Sequence, residues 1–224
     1  MVTDKTVDGW YFNSSGVGTE YVKIGDFGID KSTGTIIKFF RSDAYHKPGI
    51  NIPISVVIPI ESGGIKIKSI GANTFDDCEN LASITIPDSV TSIGNCAFED
   101  CTKLTVITIP RGVTSIGDWT FRECGSLTSV TIPDSVTTIG RSAFDNCISL
   151  TSITIPYGVT SIENAAFFGC SSLTSITIPD SVTSINDCAF SRCNNAIFYV
   201  GNEDVKYALH CGSNIDNNKI IVKS

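Results

Sequence analysis

Histidine is nearly missing from this chain: only His46 and His210 occur in 224 residues, near opposite ends of the sequence. A Ser-His-Asp or Cys-His relay needs its imidazole within hydrogen-bond reach of both nucleophile and orienting acid. No such group gathers near either histidine, so no catalytic residues are expected and the chain reads as a non-enzyme. Basic runs are missing too. Sixteen Lys and Arg stand against 23 Asp and Glu, for a formal charge of −7, whereas phosphate binding needs clustered cations; no nucleic-acid partner is expected. Long apolar runs are absent as well. The longest, Ile52 to Ile60, is interrupted by Pro53, Ser55 and Pro59 and falls far short of the roughly 20 residues of a membrane helix. The start, MVTDKTVDGW, has neither the basic opening nor the apolar middle of a leader.

What is abundant is apolar residues, at 42% with 17% charged, which sets disorder aside and supplies a packed core. These residues are arranged with a period. Leu81, Leu104, Leu127, Leu150 and Leu173 are each 23 residues apart, and so are Pro87, Pro110, Pro133, Pro156 and Pro179. Phe75 through Phe98, Phe121, Phe144, Phe167 and Phe190, and Cys78 through Cys101, Cys124, Cys147, Cys170 and Cys193, run in the same register. A degenerate unit precedes them, with Pro53, Val56, Ile58 and Pro59 matching Leu81, Ile84, Ile86 and Pro87 before five extra residues near Glu61 to Lys66.

A self-similar period of this length specifies a solenoid. Within each unit the isoleucines of Ser-Ile-Thr-Ile (Ile84 and Ile86 in the first) alternate with hydroxyl residues, the pattern of a half-buried strand. Proline, with no N–H to give a ladder, ends that strand. A second short extended piece, Val-Thr-Ser-Ile, follows the turn, and the spacing of Ala97, Phe98 and Cys101 predicts a single helical or 3₁₀ turn on the third side. One coil alone cannot bury its Leu, Ile, Val, Phe and Cys, so coils stack and like residues form columns.

The pattern Leu-x-x-Ile-x-Ile-Pro…Ile-Gly-x-x-Ala-Phe-x-x-Cys over about residues 53–195 resembles the treponemal-type leucine-rich repeat of BspA-like proteins. The resemblance implies an α/β solenoid dominated by β structure: a right-handed leucine-rich-repeat superhelix with a parallel sheet on its concave side. It also implies an extracellular or cell-surface protein that adheres to host extracellular-matrix or neighbouring-cell proteins.

Residues 53–195 form the repeat region. Residues 1–52 break the register and read as a β-rich N-terminal cap, with a strand over Glu20 to Ile24, a turn at Lys31-Ser32-Thr33-Gly34 and a strand over Thr35 to Phe40. Residues 196–224 read as a mixed C-terminal cap. There Ala196 takes the Leu position, Ile197 to Val200 form a strand, Asn202 caps a helix that runs through His210 and ends at Gly212, and Lys219 to Val222 close the chain.

Nine cysteines invite a disulfide or zinc reading. Six share one column, however, and no C-x-x-C pair begins a zinc site; they read as small buried hydrophobes with free thiols. Cys96 and Cys188 occupy a variable, more exposed position. Asp26-Phe27-Gly28 copies the kinase metal-binding tripeptide without the accompanying signatures. Asp88, Asp134 and Asp180 alternate at the turn with Arg111 and Tyr157, so no calcium column forms. No metal or cofactor is expected.

The outward positions of the first strand make two columns: Ser83, Val106, Ser129, Ser152, Ser175 and Thr85, Thr108, Thr131, Thr154, Thr177. This uncharged hydroxyl platform, with Arg111 and Tyr157 at its turn edge, is the candidate protein-binding surface, since solenoid faces are docking surfaces and Arg and Tyr are favoured anchors. Trp119 and Phe168 are further out-of-pattern aromatics on the opposite side, candidates for a second contact. Two rivals stand beside this reading: an architectural segment of a longer repeat protein, and an ice- or crystal-binding surface built on the Ser-x-Thr grid.

Overall fold

The 23-residue unit folds as one coil carrying two strands, and coils stack into a parallel β-solenoid of about 7 turns with little helix. The computed structural model describes residues 7–12, 18–24, 27–39, 54–213 and 215–222. The first strand of each coil contributes to one row: β5 (Ile54–Val57), β9 (Leu81–Thr85), β11 (Val106–Thr108), β13 (Ser129–Thr131), β15 (Ser152–Thr154), β17 (Ser175–Ile178) and β19 (Ile197–Val200). Except between β13 and β15, which adjoin without a paired register, neighbours pair in parallel with like over like, as Thr108 opposite Thr131 and Thr154 opposite Thr177. The degenerate first unit joins in the expected register at Val56, which faces Ile84, but Ile54 and not Pro53 stands opposite Leu81, because the register slips between Ile54 and Ser55. Its extra residues form a small antiparallel hairpin of β6 (Glu61–Ser62) and β7 (Ile65–Lys66).

The Val-Thr-Ser-Ile segments supply the second row: β8 (Ser69–Ile70), β10 (Ser92–Ile93), β12 (Ser115–Ile116), β14 (Thr138–Ile139), β16 (Ser161–Ile162) and β18 (Ser184–Ile185). These strands are two residues long, yet the row is stitched further by threonine hydroxyls: Thr137, Thr160 and Thr183 each donate to the carbonyl oxygen of the threonine one coil back, at 3.2–3.3 Å. Between the Ile of this strand and the third side, backbones come close together. A Cβ on Gly140 would sit 2.7 Å from the Gly117 carbonyl carbon, so only glycine fits there.

The third side is more than the single helical or 3₁₀ turn expected. It does contain tight i→i−3 bonds, such as Leu104 N–H to Cys101 O at 3.0 Å. Two of its positions are left-handed in every coil, though. Asn73, Cys96, Trp119, Ser142, Ala165 and Cys188 have φ of 49–58°, and Asp77, Asp100, Glu123, Asn146, Gly169 and Arg192 have φ of 54–71°. That conformation is disfavoured for residues with a Cβ. It turns alternate N–H groups along the stack, so that those of Cys96, Phe98 and Asp100 donate to the carbonyl oxygens of Asp118, Thr120 and Arg122 at 2.9–3.0 Å. Buried backbone polar groups must be paired, and an isolated helical turn would leave these without a partner in the next coil.

Inside the coils the columns are continuous. Phe75, Phe98, Phe121, Phe144, Phe167 and Phe190 are each fully buried and stack with ring centroids 5.1–5.5 Å apart, within the offset-stacked range. Phe39 and Phe198, which lie off the 23-residue period, extend this column at its two ends. The cysteine column does more than fill space. Cys101, Cys124, Cys147, Cys170 and Cys193 each donate their thiol to the carbonyl oxygen of the phenylalanine in the preceding coil, at 3.1–3.2 Å. Burial pushes these thiols up, Cys193 to about 12, so the reactive thiolate is suppressed.

At the N-terminal end, β1 (Val7–Phe12), β2 (Gly18–Ile24), β3 (Phe27–Asp30) and β4 (Thr35–Phe39) form an antiparallel meander whose last strand pairs in parallel with β8. The turn at 31–34 falls where expected, but Phe27–Asp30 is a strand in its own right. Phe27 and Gly28 of the kinase-like tripeptide are buried within it; Asp26 and His46 lie outside the described residues. At the other end, α1 (Glu203–Ser213) follows β19, and β20 (Ile220–Val222) adds in parallel to β19. Asn202 caps α1 by accepting the Val205 N–H at 2.9 Å, and Val205 and Leu209 bury the helix's inner face.

Candidate functional site

The residues singled out for binding are brought together on one surface. Because side chains alternate across a strand, burying Ile84, Ile107, Val130, Ile153 and Ile176 turns Ser83, Val106, Ser129, Ser152 and Ser175, with Thr85, Thr108, Thr131, Thr154 and Thr177, to solvent. All ten are exposed. Ser55 prolongs the serine column, accepting the Ser83 hydroxyl at 2.8 Å. Just before each strand, Thr105, Thr128, Thr151 and Thr174 donate to a carbonyl one coil back at 3.0–3.4 Å, which fixes the spacing of the rows above and below.

Arg111 and Tyr157 rise at the turn that follows the strand, in one row with Asp88, Asp134 and Asp180, and all five are exposed. Tyr157 is the most exposed large hydrophobic side chain among the described residues, at 80%. Charge is otherwise concentrated on the third side. There Arg122 meets Glu99 at 2.6 Å and stands 3.9 Å from both Glu123 and Asp145, and burial raises the Asp145 carboxyl against the lowering pull of Arg122. The sheet face itself carries no charged side chain in either column.

The two aromatics expected to mark a second contact have local partners. The Arg141 guanidinium lies 5.4 Å from the Trp119 ring centroid, and that of Arg192 4.9 Å from Phe168, both at cation–π range. His210 is held within its own segment, its Nδ1 2.9 Å from the Ile215 carbonyl oxygen. No group of three or more His, Cys, Asp or Glu side chains is placed to hold a metal among the described residues. No described helix is long and apolar enough to cross a membrane.

Sequence reasoning missed how the face ends. The serine column passes from Ser175 to Ile197 and the threonine column from Thr177 to Tyr199 and then Ile221. Ile197 and Ile221 are exposed. The alternation of Ile197-Phe198-Tyr199-Val200 carried the signal, but with no 23-residue repeat to align it, its outward members went unassigned.

Stacked coils with one inward-facing column per recurring type of apolar residue and parallel strands on one side define a leucine-rich-repeat solenoid, in general a non-catalytic scaffold suited to protein interaction. The chain belongs to the BspA-type leucine-rich-repeat family, whose model matches six copies over residues 68–197. A comparison with curated proteins finds none that matches. Among solved structures, the leucine-rich repeat protein of T. pallidum is 27% identical over 87% of this chain and 79% of that one, with a TM-score of 0.67. A leucine-rich repeat protein from Bacteroides ovatus is 27% identical over 100% of this chain and 57% of that one, TM-score 0.57. A leucine-rich cell surface protein from Faecalibacterium prausnitzii is 29% identical over 87% and 55%, TM-score 0.56. The chain thus spans little more than half the length of the last two.

Proposed function

We propose that this chain is a non-enzymatic, extracellular or surface-displayed module that adheres to a host or neighbouring-cell protein through the outward face of the first sheet. The observation that carries this reading is the exposed, uncharged platform of in-register Ser and Thr side chains with Arg111 and Tyr157 standing at its edge. Small hydroxylated side chains offer hydrogen bonds without a large desolvation penalty, while a guanidinium and a phenol supply the anchors that dominate interface energetics. The description of the F. prausnitzii relative as a cell surface protein favours the same location. Binding to immobilised extracellular-matrix proteins, compared between the wild type and an Arg111→Ala/Tyr157→Ala double variant, tests the reading. At least about tenfold weaker binding is expected; equal binding by the two removes the anchors.

A further inference from the structure

The repeat pattern breaks most sharply at the C-terminal end of the first sheet, and the break makes a groove. Tyr157 replaces the turn aspartate of its coil. One coil further, Thr177, Pro179 and Asp180 keep the repeat residues; one coil further still, Tyr199 stands opposite Thr177. Together with Gly201 these residues line an open cavity of about 280 Å³. The two tyrosines come from coils two strand spacings apart, roughly 10 Å along the stack, Tyr157 at the turn and Tyr199 on the strand, and residues of the intervening coil line the groove with them.

The chemistry of this lining is selective. Among the described residues no Lys or Arg lines the groove and Asp180 does, which disfavours phosphate, sulfate and carboxylate ligands by like charge. A single carboxylate is too few ligands for a calcium ion. A purely apolar ligand would strand the Asp180 and Thr177 polar atoms without partners. What fits is a neutral molecule that has both polarised C–H faces for aromatic rings and many hydroxyls for a carboxylate and a threonine. The negative face of an aromatic ring attracts partly positive edges, and a pyranose presents such edges as its axial C–H groups.

Asp180 lies close against the chain. A Cβ at position 201 would overlap its carboxylate, so Gly201 is the residue that lets the acid lie against the chain at the groove wall. The Tyr157 ring, by contrast, is 80% exposed and contributes little to the fold from that position.

We propose that this groove binds a neutral carbohydrate, with a pyranose ring stacked on Tyr157 and its hydroxyls hydrogen-bonded to Asp180. The ligand class differs from the protein partner proposed above, and Arg111 separates the two readings because it does not line the groove. The test is saturation-transfer NMR and titration of the whole chain with the methyl glycosides of galactose, glucose, mannose and N-acetylglucosamine. At least one glycoside is expected to receive saturation at its C–H face. Tyr157→Ala and Asp180→Asn should each weaken that glycoside about tenfold, while Arg111→Ala, and Tyr207→Ala at an exposed tyrosine on α1, leave it unchanged. Transfer to none of the glycosides, or equal affinity in wild type and Tyr157→Ala, overturns the proposal. Because Tyr157 and Asp180 are exposed, their variants should keep the wild-type melting temperature, so that loss of binding reads on the groove and not on folding.

Discussion

Between Leu81 and Asn195 each coil repeats the last; from Ala196 onward the same sheet continues with different outward residues. In the regular coils every inward position is fixed by the coils above and below, since like must stack on like to leave no void. The outward positions there are uniform Ser and Thr, with Val106 the exception. In the last strands the inward positions still obey the stack, Phe198 closing the aromatic column and Val200 buried. Their outward positions do not: Ile197, Tyr199 and Ile221 replace the hydroxyls. Packing therefore governs the interior throughout, while the exterior varies where the stack no longer imposes its period. Recognition is expected to concentrate where the exterior departs from the pattern.

The largest effect should come from breaking a column in the regular coils. Phe121 is fully buried with rings at 5.5 and 5.2 Å on either side, so Phe121→Ala should destabilise the chain by about 3–5 kcal/mol in urea denaturation. Phe27 lies beyond Phe39, the one ring it meets among the described residues, and is 9% exposed; Phe27→Ala should cost less than Phe121→Ala. Equal losses at the two sites would remove the distinction between an enclosed coil and a terminal one.

The thiol column gives a second handle, through pH. Its folded pKa values lie above those of the unfolded chain because burial disfavours the thiolate. The neutral thiols thus contribute stability that is fully present below the unfolded value of about 8.5 and is lost as pH rises towards the folded values, at up to about 1.4 kcal/mol per pH unit for each thiol. The urea midpoint should fall steadily above about pH 8.5. In native alkylation only Cys188 and Cys211, the exposed thiols, should react rapidly. A midpoint flat to pH 10, or fast labelling of Cys124 or Cys147, would show that the column is open to water.

How far all this was legible in the sequence follows the same division. Interior columns could be read because stacking forces one residue type at a fixed interval: Leu, Phe, Cys and the strand isoleucines announce themselves, and so do the Ser and Thr columns on the strand's other face. The left-handed positions could not be read that way. Their occupants, Asn73, Cys96, Trp119, Ser142, Ala165 and Cys188, share no side-chain type, because what recurs is a backbone conformation demanded by carbonyls in the next coil. Phe39 and Phe198 join the aromatic column from off-period positions, and β3 was hidden by its closeness to β2. At the candidate site the platform was legible and its apolar end was not, since Tyr199 and Ile221 belong to no repeat.

The left-handed columns offer a smaller test, and its sign distinguishes strain from packing. Ala165 has φ of 54°, so Ala165→Gly relieves a conformational penalty of roughly 1–2 kcal/mol while glycine's freedom in the unfolded chain returns about 0.4–1 kcal/mol of it. A net effect between about zero and a gain of about 1.6 kcal/mol in thermal or urea unfolding is expected. The same exchange at the neighbouring Ala166, which is fully buried and not left-handed, should destabilise instead. If both changes destabilise, the backbone is not left-handed at position 165.

The smallest effect is expected on the platform itself. Ser152 is exposed in the serine column, opposite Ser175 of the next coil. Replacing it with alanine removes a solvated hydroxyl without opening a cavity, and surface changes of this kind usually stay within about 0.5 kcal/mol. Ser152→Ala should therefore leave the melting temperature almost unchanged, in contrast to Phe121→Ala in the core. A loss above about 1 kcal/mol would mean that the outward hydroxyls help hold the coils together, and the platform would then be explained by folding, leaving its uniformity no argument for binding.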